Sequence, residues 1–289
     1  MKKTSLLLAG FLLLSPALAQ AMAPADIEQK ARQGDVEAQL SLAKSYYMES
    51  DNPKIMAEAT KWFRLAAEQG NAEAQTYLGD MYYYGIAVTR NYAQAAKWYR
   101  LAAEQGFPQA EYRLATLYYK GHGVPASYSE AANWYRLAAE QGHADAQYQL
   151  GYLYDTGRGV PRSFAEAATW YRLAAEQDHA QAQYSLGIMS FSGDGVPKNP
   201  GESFKWYERA AKLGHKDAQY NLGVMYSISP YTMRNYNKSY IWLLIAYANG
   251  DAVAGRKARE MERLLDPITI RDAQARATTC FESGYKECN

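Results

Sequence analysis

The sequence predicts an all-α chain of stacked helical hairpins, an αα-repeat solenoid, and three observations predict it. "WYRLAAEQG" stands at 98–106 and again at 134–142, with "WFRLAAEQG" at 62–70 and "WYRLAAEQD" at 170–178. The six tryptophans, Trp62, Trp98, Trp134, Trp170, Trp206 and Trp242, each follow the last by 36 residues. Within a unit, apolar and small residues recur at spacings of three and four, which places one packed stripe on a helix. A fixed period of about 20–50 residues marks a stacked array, in which no unit buries its apolar face alone.

The chain opens with Lys2 and Lys3, an apolar run from Leu6 to Leu14 and small residues ending Ala17-Leu18-Ala19. That is the layout of a secretory signal, and its apolar run is too short to cross a bilayer. Residues 1–19 are therefore expected to be removed, with cleavage after Ala19 or Ala21. No cysteine follows either site to carry a lipid anchor. Losing Lys2 and Lys3 takes the formal net charge from +1 to −1, which leaves no electrostatic footprint for nucleic acid or an anionic membrane. The mature chain is expected to be soluble, monomeric and periplasmic.

Residues 20–34 contain "ADIEQKARQG", a worn helix serving as N-terminal cap. Six units then fill residues 35–250. In each, a first helix, A, carries a constant alanine (Ala38, Ala74, Ala146), a constant leucine (Leu42, Leu78, Leu150), a small residue after it (Ala43, Gly79, Gly151) and, four past the leucine, Tyr46, Tyr82, Tyr118, Tyr154, Ser190 or Tyr226. The second helix, B, is the recurring phrase, rich in strong helix formers, with the tryptophan as a core anchor. Gly70, Gly106, Gly142, Gly214 and Gly250 end it, glycine being the residue that most easily turns left-handed past a helix terminus. "GHGVP", "GRGVP" and "GDGVP" break A from B. Residues 251–289 leave the pattern and form capping helices, the last opened by Asp266-Pro267. Cys280 and Cys288 are read as a disulfide in an oxidising compartment, contributing roughly 2–3 kcal/mol by loop entropy.

Ala146-Gln147, Leu150-Gly151, Tyr154, "GRGVP" and "WYRLAAEQ" resemble the Sel-one-like repeat (SLR), a relative of the tetratricopeptide repeat. The resemblance covers the six units. It implies a right-handed αα superhelix with an inner groove that holds other proteins, without a cofactor.

No metal, cofactor or catalytic constellation emerges. His143, His179 and His215 share a column, but stacked helices lie about 8–10 Å apart, whereas zinc ligands must reach within about 2.1 Å; they are read as turn residues. His122 lies in a turn with no obvious partner. "SLAK", with Ser41 and Lys44, fits the S-x-x-K pattern of penicillin-binding enzymes, with Ser50-Asp51-Asn52 as a second fragment. K-T-G is missing, and an all-helical hairpin lacks the sheet that chemistry is built on. A serine-acyl enzyme acting on β-lactams or peptidoglycan is the reading from a different class. Glu104, Glu140 and Glu176 form a solvated face.

If constant columns build the scaffold, partner recognition belongs to columns that vary yet share a helical face. On helix A these positions are Ser41, Lys44, Met48; Tyr77, Asp80, Tyr84; Arg113, Thr116, Lys120; Gln149, Tyr152, Thr156; Ser185, Ile188, Ser192; and Asn221, Val224, Ile228. Tyr47, Tyr83, Tyr119, Asp155, Phe191 and Ser227 flank them. Tyrosine and arginine are enriched at protein interfaces. The turns "MESDNPKIM" and "SISPYTMRN" depart from pattern and are secondary candidates. The expected function is a scaffold gripping a protein: an immunity or inhibitor protein against a delivered toxin, or a regulator of an envelope sensor or assembly enzyme.

Overall fold

The computed structural model describes residues 24–49, 52–228 and 234–288. The expected export signal at 1–19 lies outside the described residues, as do parts of the two irregular turns, at 50–51 and 229–233. Among the described residues all regular structure is helical. A short α1 (Pro24–Arg32) precedes six A–B pairs: α2 (Val36–Glu49) with α3 (Pro53–Glu68), α4 (Ala72–Tyr84) with α5 (Tyr92–Ala103), and α6 (Pro108–Lys120) with α7 (Tyr128–Glu140). Then come α8 (Ala144–Thr156) with α9 (Phe164–Glu176), α10 (Ala180–Ser192) with α11 (Pro200–Lys212), and α12 (Lys216–Ser227) with α13 (Tyr236–Ala248). The chain closes with α14 (Ala252–Glu262) and α15 (Pro267–Glu282).

From α1 to α14 each helix packs on its neighbours in the chain, α15 packs back on α13, and α4 also approaches α6 directly. The A helices are thus closely spaced there. Local chemistry sets the ends. Asn91, Ser127, Ser163 and Asn199 accept the N–H three residues on with their side chains, capping the B helices. Gly85, Gly121, Gly157 and Gly193 close the A helices in the left-handed conformation. The three column-sharing histidines are more than turn residues: His143, His179 and His215 are N-caps of α8, α10 and α12, each accepting an amide through Nδ1. Their other nitrogen faces Gln109, Asp145 and Gln181 respectively, and each ring stacks on a tyrosine of the preceding A helix.

The core corrects one expectation. The residue after each tryptophan, not the tryptophan, sits deepest: Phe63, Tyr99, Tyr135 and Tyr171 are fully buried, while Trp134 and Trp170 are half-exposed. The small column of helix A makes room for these rings. A Cβ at Gly151 would lie 2.8 Å from Cδ1 of Tyr171, inside any normal contact. Two polar ladders then fix the register between units. Arg64, Arg100 and Arg136 donate to Tyr82 Oη, Tyr118 Oη and Tyr154 Oη at 2.9, 2.6 and 2.7 Å. Buried Gln75 and Gln147 donate to the carbonyls of Ala67 and Ala139 in the preceding unit and accept from Gln105 and Gln177 at the end of their own unit's B helix. A buried amide with both ends satisfied stabilises by about 1 kcal/mol per bond, whereas an orphaned one is costly.

At the C-terminal end, α15 packs on α13 and buries Ile245. Cys280 is bonded to Cys288, and the segment they enclose brings the Tyr285 ring against Gly214. Among the described residues no helix is long and apolar enough to cross a membrane.

Candidate functional site

Of the eighteen stripe positions named from the sequence all but Ile228, the extended residue that ends α12, lie on the A helices, and none is buried. Their surroundings change along the stack. In the first unit Lys44 donates to Glu73 of the next A helix at 2.7 Å. Burial pulls the Lys44 ammonium down, but the hydrogen bond and charge of Glu73 outweigh it and raise the pKa above the ordinary lysine value. The lysine of the S-x-x-K pattern is thus engaged by Glu73 of the next unit, and Ser41 beside it is exposed. Met48 is the most exposed of the stripe, at 72%. Tyr77 stacks on Phe63 at 4.7 Å and meets Tyr47 edge-on at 5.7 Å.

Asp80 and Arg113 of the next unit form an ion pair at 3.1 Å, without hydrogen-bond alignment of the Nε–H, and Tyr99 Oη donates to the same carboxylate. Burial raises the Asp80 pKa against the opposing pull of Arg113 and Tyr99. Arg113 is desolvated too, yet Asp80 keeps its pKa above the ordinary arginine value. Tyr84 stays 56% exposed, its ring edge-on to Tyr83 at 4.8 Å. Thr116 bonds Tyr135 Oη, and Lys120 is exposed. Gln149 and Tyr152 are half-buried, and Thr156 caps back onto the Tyr152 carbonyl.

The last two units turn apolar. Ile188, Phe191 and Ile228 are 42%, 44% and 47% exposed. Asn221, Val224 and Ile228 share a hollow of ≈ 250 Å³ with Phe191, Tyr207 and Met225. The structure therefore brings the stripe's neighbours into three groups: Lys44 near Tyr77, Asp80 with Arg113, and Asn221 with Val224 and Ile228. No direct contact joins Ser185 or Gln149 to these groups.

Sequence reasoning missed two sets of residues. Tyr207 and Met225 occupy scaffold columns, which hid that they also floor the hollow. Arg158, set aside as a turn residue, stands over the Tyr128 and Tyr152 rings at 5.6 and 5.9 Å and donates to Tyr119 Oη. No column signal marked it, since the equivalent positions are Ile86, His122 and Asp194, although Arg90, Arg162, Lys198 and Arg234 recur in a nearby turn column. His122 has a partner after all, stacking on Tyr92 at 4.6 Å. Among the described residues no group of three or more histidine, cysteine or carboxylate side chains is gathered as a metal site would require.

The repeat described as Sel1 repeat matches residues 36–71, 72–107, 108–143, 144–179, 180–215 and 216–251. A solved structure of a protective antigen present in uropathogenic Escherichia coli strains, displaying an SLR fold, is 33% identical with a TM-score of 0.81 over 91% of this chain and 58% of its own. This chain thus spans little more than half the length of that antigen. A Sel1 repeat protein from Oxalobacter formigenes is 32% identical, with a TM-score of 0.68 over 76% of this chain and 87% of its own. No curated protein matches.

Proposed function

The chain belongs to the Sel1 repeat family, whose members are protein-interaction scaffolds, and from that premise we propose that it grips a protein partner with the face formed by its A helices. One observation carries the reading. On the A helices the positions that vary from unit to unit are unburied, while the constant alanine, leucine and small columns of the same helices fill the interior. Met48, Tyr84, Ile188 and Ile228 give that face large exposed apolar groups that a partner could cover.

The place of action is the periplasm. The leader-like first residues and the Cys280–Cys288 bond support this. There the partner is a delivered toxin held inactive or the outer part of an envelope sensor or assembly enzyme. Crosslinking in cells that make a tagged chain, followed by mass spectrometry of the captured proteins, tests the proposal. The expected result is one dominant partner absent from a control without crosslinker. Recovery of nothing above that control would refute it.

A further inference from the structure

The charges of the A-helix face exist in two conditions. Along the stripe they are cancelled, Lys44 by Glu73 and Asp80 by Arg113, with Lys120 at the end of α6 the exception. At the turns from A to B they are not. Among the described residues no carboxylate stands within ion-pair distance of Arg90, Lys120, Arg158, Arg162 or Lys198. Three of the guanidiniums are held in place by other means. Arg158 lies over two tyrosine rings, Arg162 stands 4.4 Å over Phe164 and donates to the Asp155 carbonyl, and Arg90 stands 5.5 Å over Tyr92. An aromatic ring attracts and orients a cation through its quadrupole without neutralising it. The edge is therefore a row of fixed, uncancelled positive charge on a chain whose formal net charge is only +1.

The same face ends in the apolar hollow walled by Phe191, Val224 and Ile228. Between the two lies Tyr152, half-buried and touching Arg158. Resting on the protein-binding reading above, we propose that the face receives an extended polypeptide segment that is acidic at one end and carries a bulky apolar side chain at the other. Its carboxylates meet Arg158 and Lys120, and its apolar side chain enters the hollow. The hollow is one to two units from Arg158, roughly 10 Å per unit, so about three to six residues of extended chain separate them. A nucleic acid strand is the poorer fit. Its phosphates recur evenly, whereas the fifth unit sets Asp194, Ile188 and Phe191 beside its one turn cation, Lys198.

The test uses the full mature chain and a random peptide display library. Selection on the wild type is compared with selection on Lys120→Glu/Arg158→Glu and on Ile228→Asp, each confirmed as folded by its helical circular dichroism. Recovered peptides are expected to be enriched in aspartate and glutamate, with an aromatic or large aliphatic residue three to six positions away. A synthetic representative should bind about tenfold more weakly to either variant, and its dependence on the basic pair should fade at high salt as exposed charges are screened. Peptides without acidic enrichment, equal binding to the charge variant, no recovered peptides, or a single-stranded oligonucleotide that outcompetes them would each overturn the proposal. If a protein captured in cells still binds but ignores Lys120→Glu/Arg158→Glu and salt, this chemistry falls while the scaffold function stands.

Discussion

The second to fourth units and the last two are written in the same columns, yet their ladders are in different states. In the former, Arg100 and Arg136 reach the tyrosine of the next unit and each helix-end glutamine reaches the buried glutamine or glutamate behind it. From the junction of the fourth and fifth units this changes: Ser190 replaces the tyrosine, and Arg172 turns instead to Glu202 at 3.5 Å. Leu213 replaces the glutamine, leaving Gln183 Oε1 buried without a hydrogen-bond partner. Asp178 takes the left-handed position held elsewhere by glycine, at φ 60°, and Arg209 closes the gap by bonding Asp178 and the Ala175 carbonyl. The ladder defects coincide with the apolar stretch of the A-helix face. Register in this stack is over-determined: the buried column that follows the tryptophans continues through Tyr207 and, as an aliphatic side chain, Leu243, so units tolerate lost polar ties where the surface has changed its chemistry.

That comparison makes the core the largest expected effect. Tyr135→Ala and Tyr207→Ala should each cost about 3–5 kcal/mol in denaturant unfolding, as large aromatic truncations do. Trp134→Ala, half-exposed, should cost less than Tyr135→Ala. A small cost confined to Tyr207→Ala would show that the last units differ in core as well as ladder. Next come the ladders. Gln177→Leu should cost about 1–3 kcal/mol by orphaning Gln147, while Leu213→Gln should gain about 1 kcal/mol by satisfying Gln183. Likewise Arg136→Ala should cost about 1 kcal/mol and Arg172→Ala close to nothing. Equal effects in both halves would dissolve the distinction.

Smaller effects appear in the pH dependence. Glu111 occupies the buried position of the ladder glutamines, and burial raises its pKa above the ordinary carboxylate value despite the bond from Gln141. A raised folded pKa favours the protonated form, so its contribution is present below about pH 4.3 and is lost as pH rises through the folded value. Glu111→Gln should therefore stabilise the chain at neutral pH by about 1 kcal/mol and lose that advantage in acid. The histidine caps have the opposite sign. Burial lowers the pKa of His143 and His215, so their contribution is present above about pH 6.5 and is lost as pH falls below it. His143→Asn, which caps without titrating, should flatten that acid-side loss when thermal midpoints are followed from pH 7.5 to 5.

The period, the helix pairs and the glycine ends were legible because each is a local property copied at 36-residue intervals, so six copies vouch for one another. The outward position of the stripe was legible for the same reason, since variation among copies marks what the interior does not constrain. The relative depth of two adjacent aromatics was not. Whether Trp134 or Tyr135 goes deeper depends on how the next A helix lies across helix B, and no single helix encodes that. The histidine caps escaped because the Nδ1 acceptor matters only once Tyr112, Tyr148 and Tyr184 flatten the rings against the helix start. The hollow escaped because Tyr207 and Met225 serve the core and the surface together.

The central claim is that the unburied face of the A helices binds and the interior only holds it in shape. Capture of the crosslinked partner by Tyr84→Ala/Tyr152→Ala, measured beside its thermal midpoint, tests this most directly. The account predicts capture reduced about tenfold or more, the loss of two interface tyrosines, with the midpoint nearly unmoved. Undiminished capture by a double variant that melts like the wild type would contradict it.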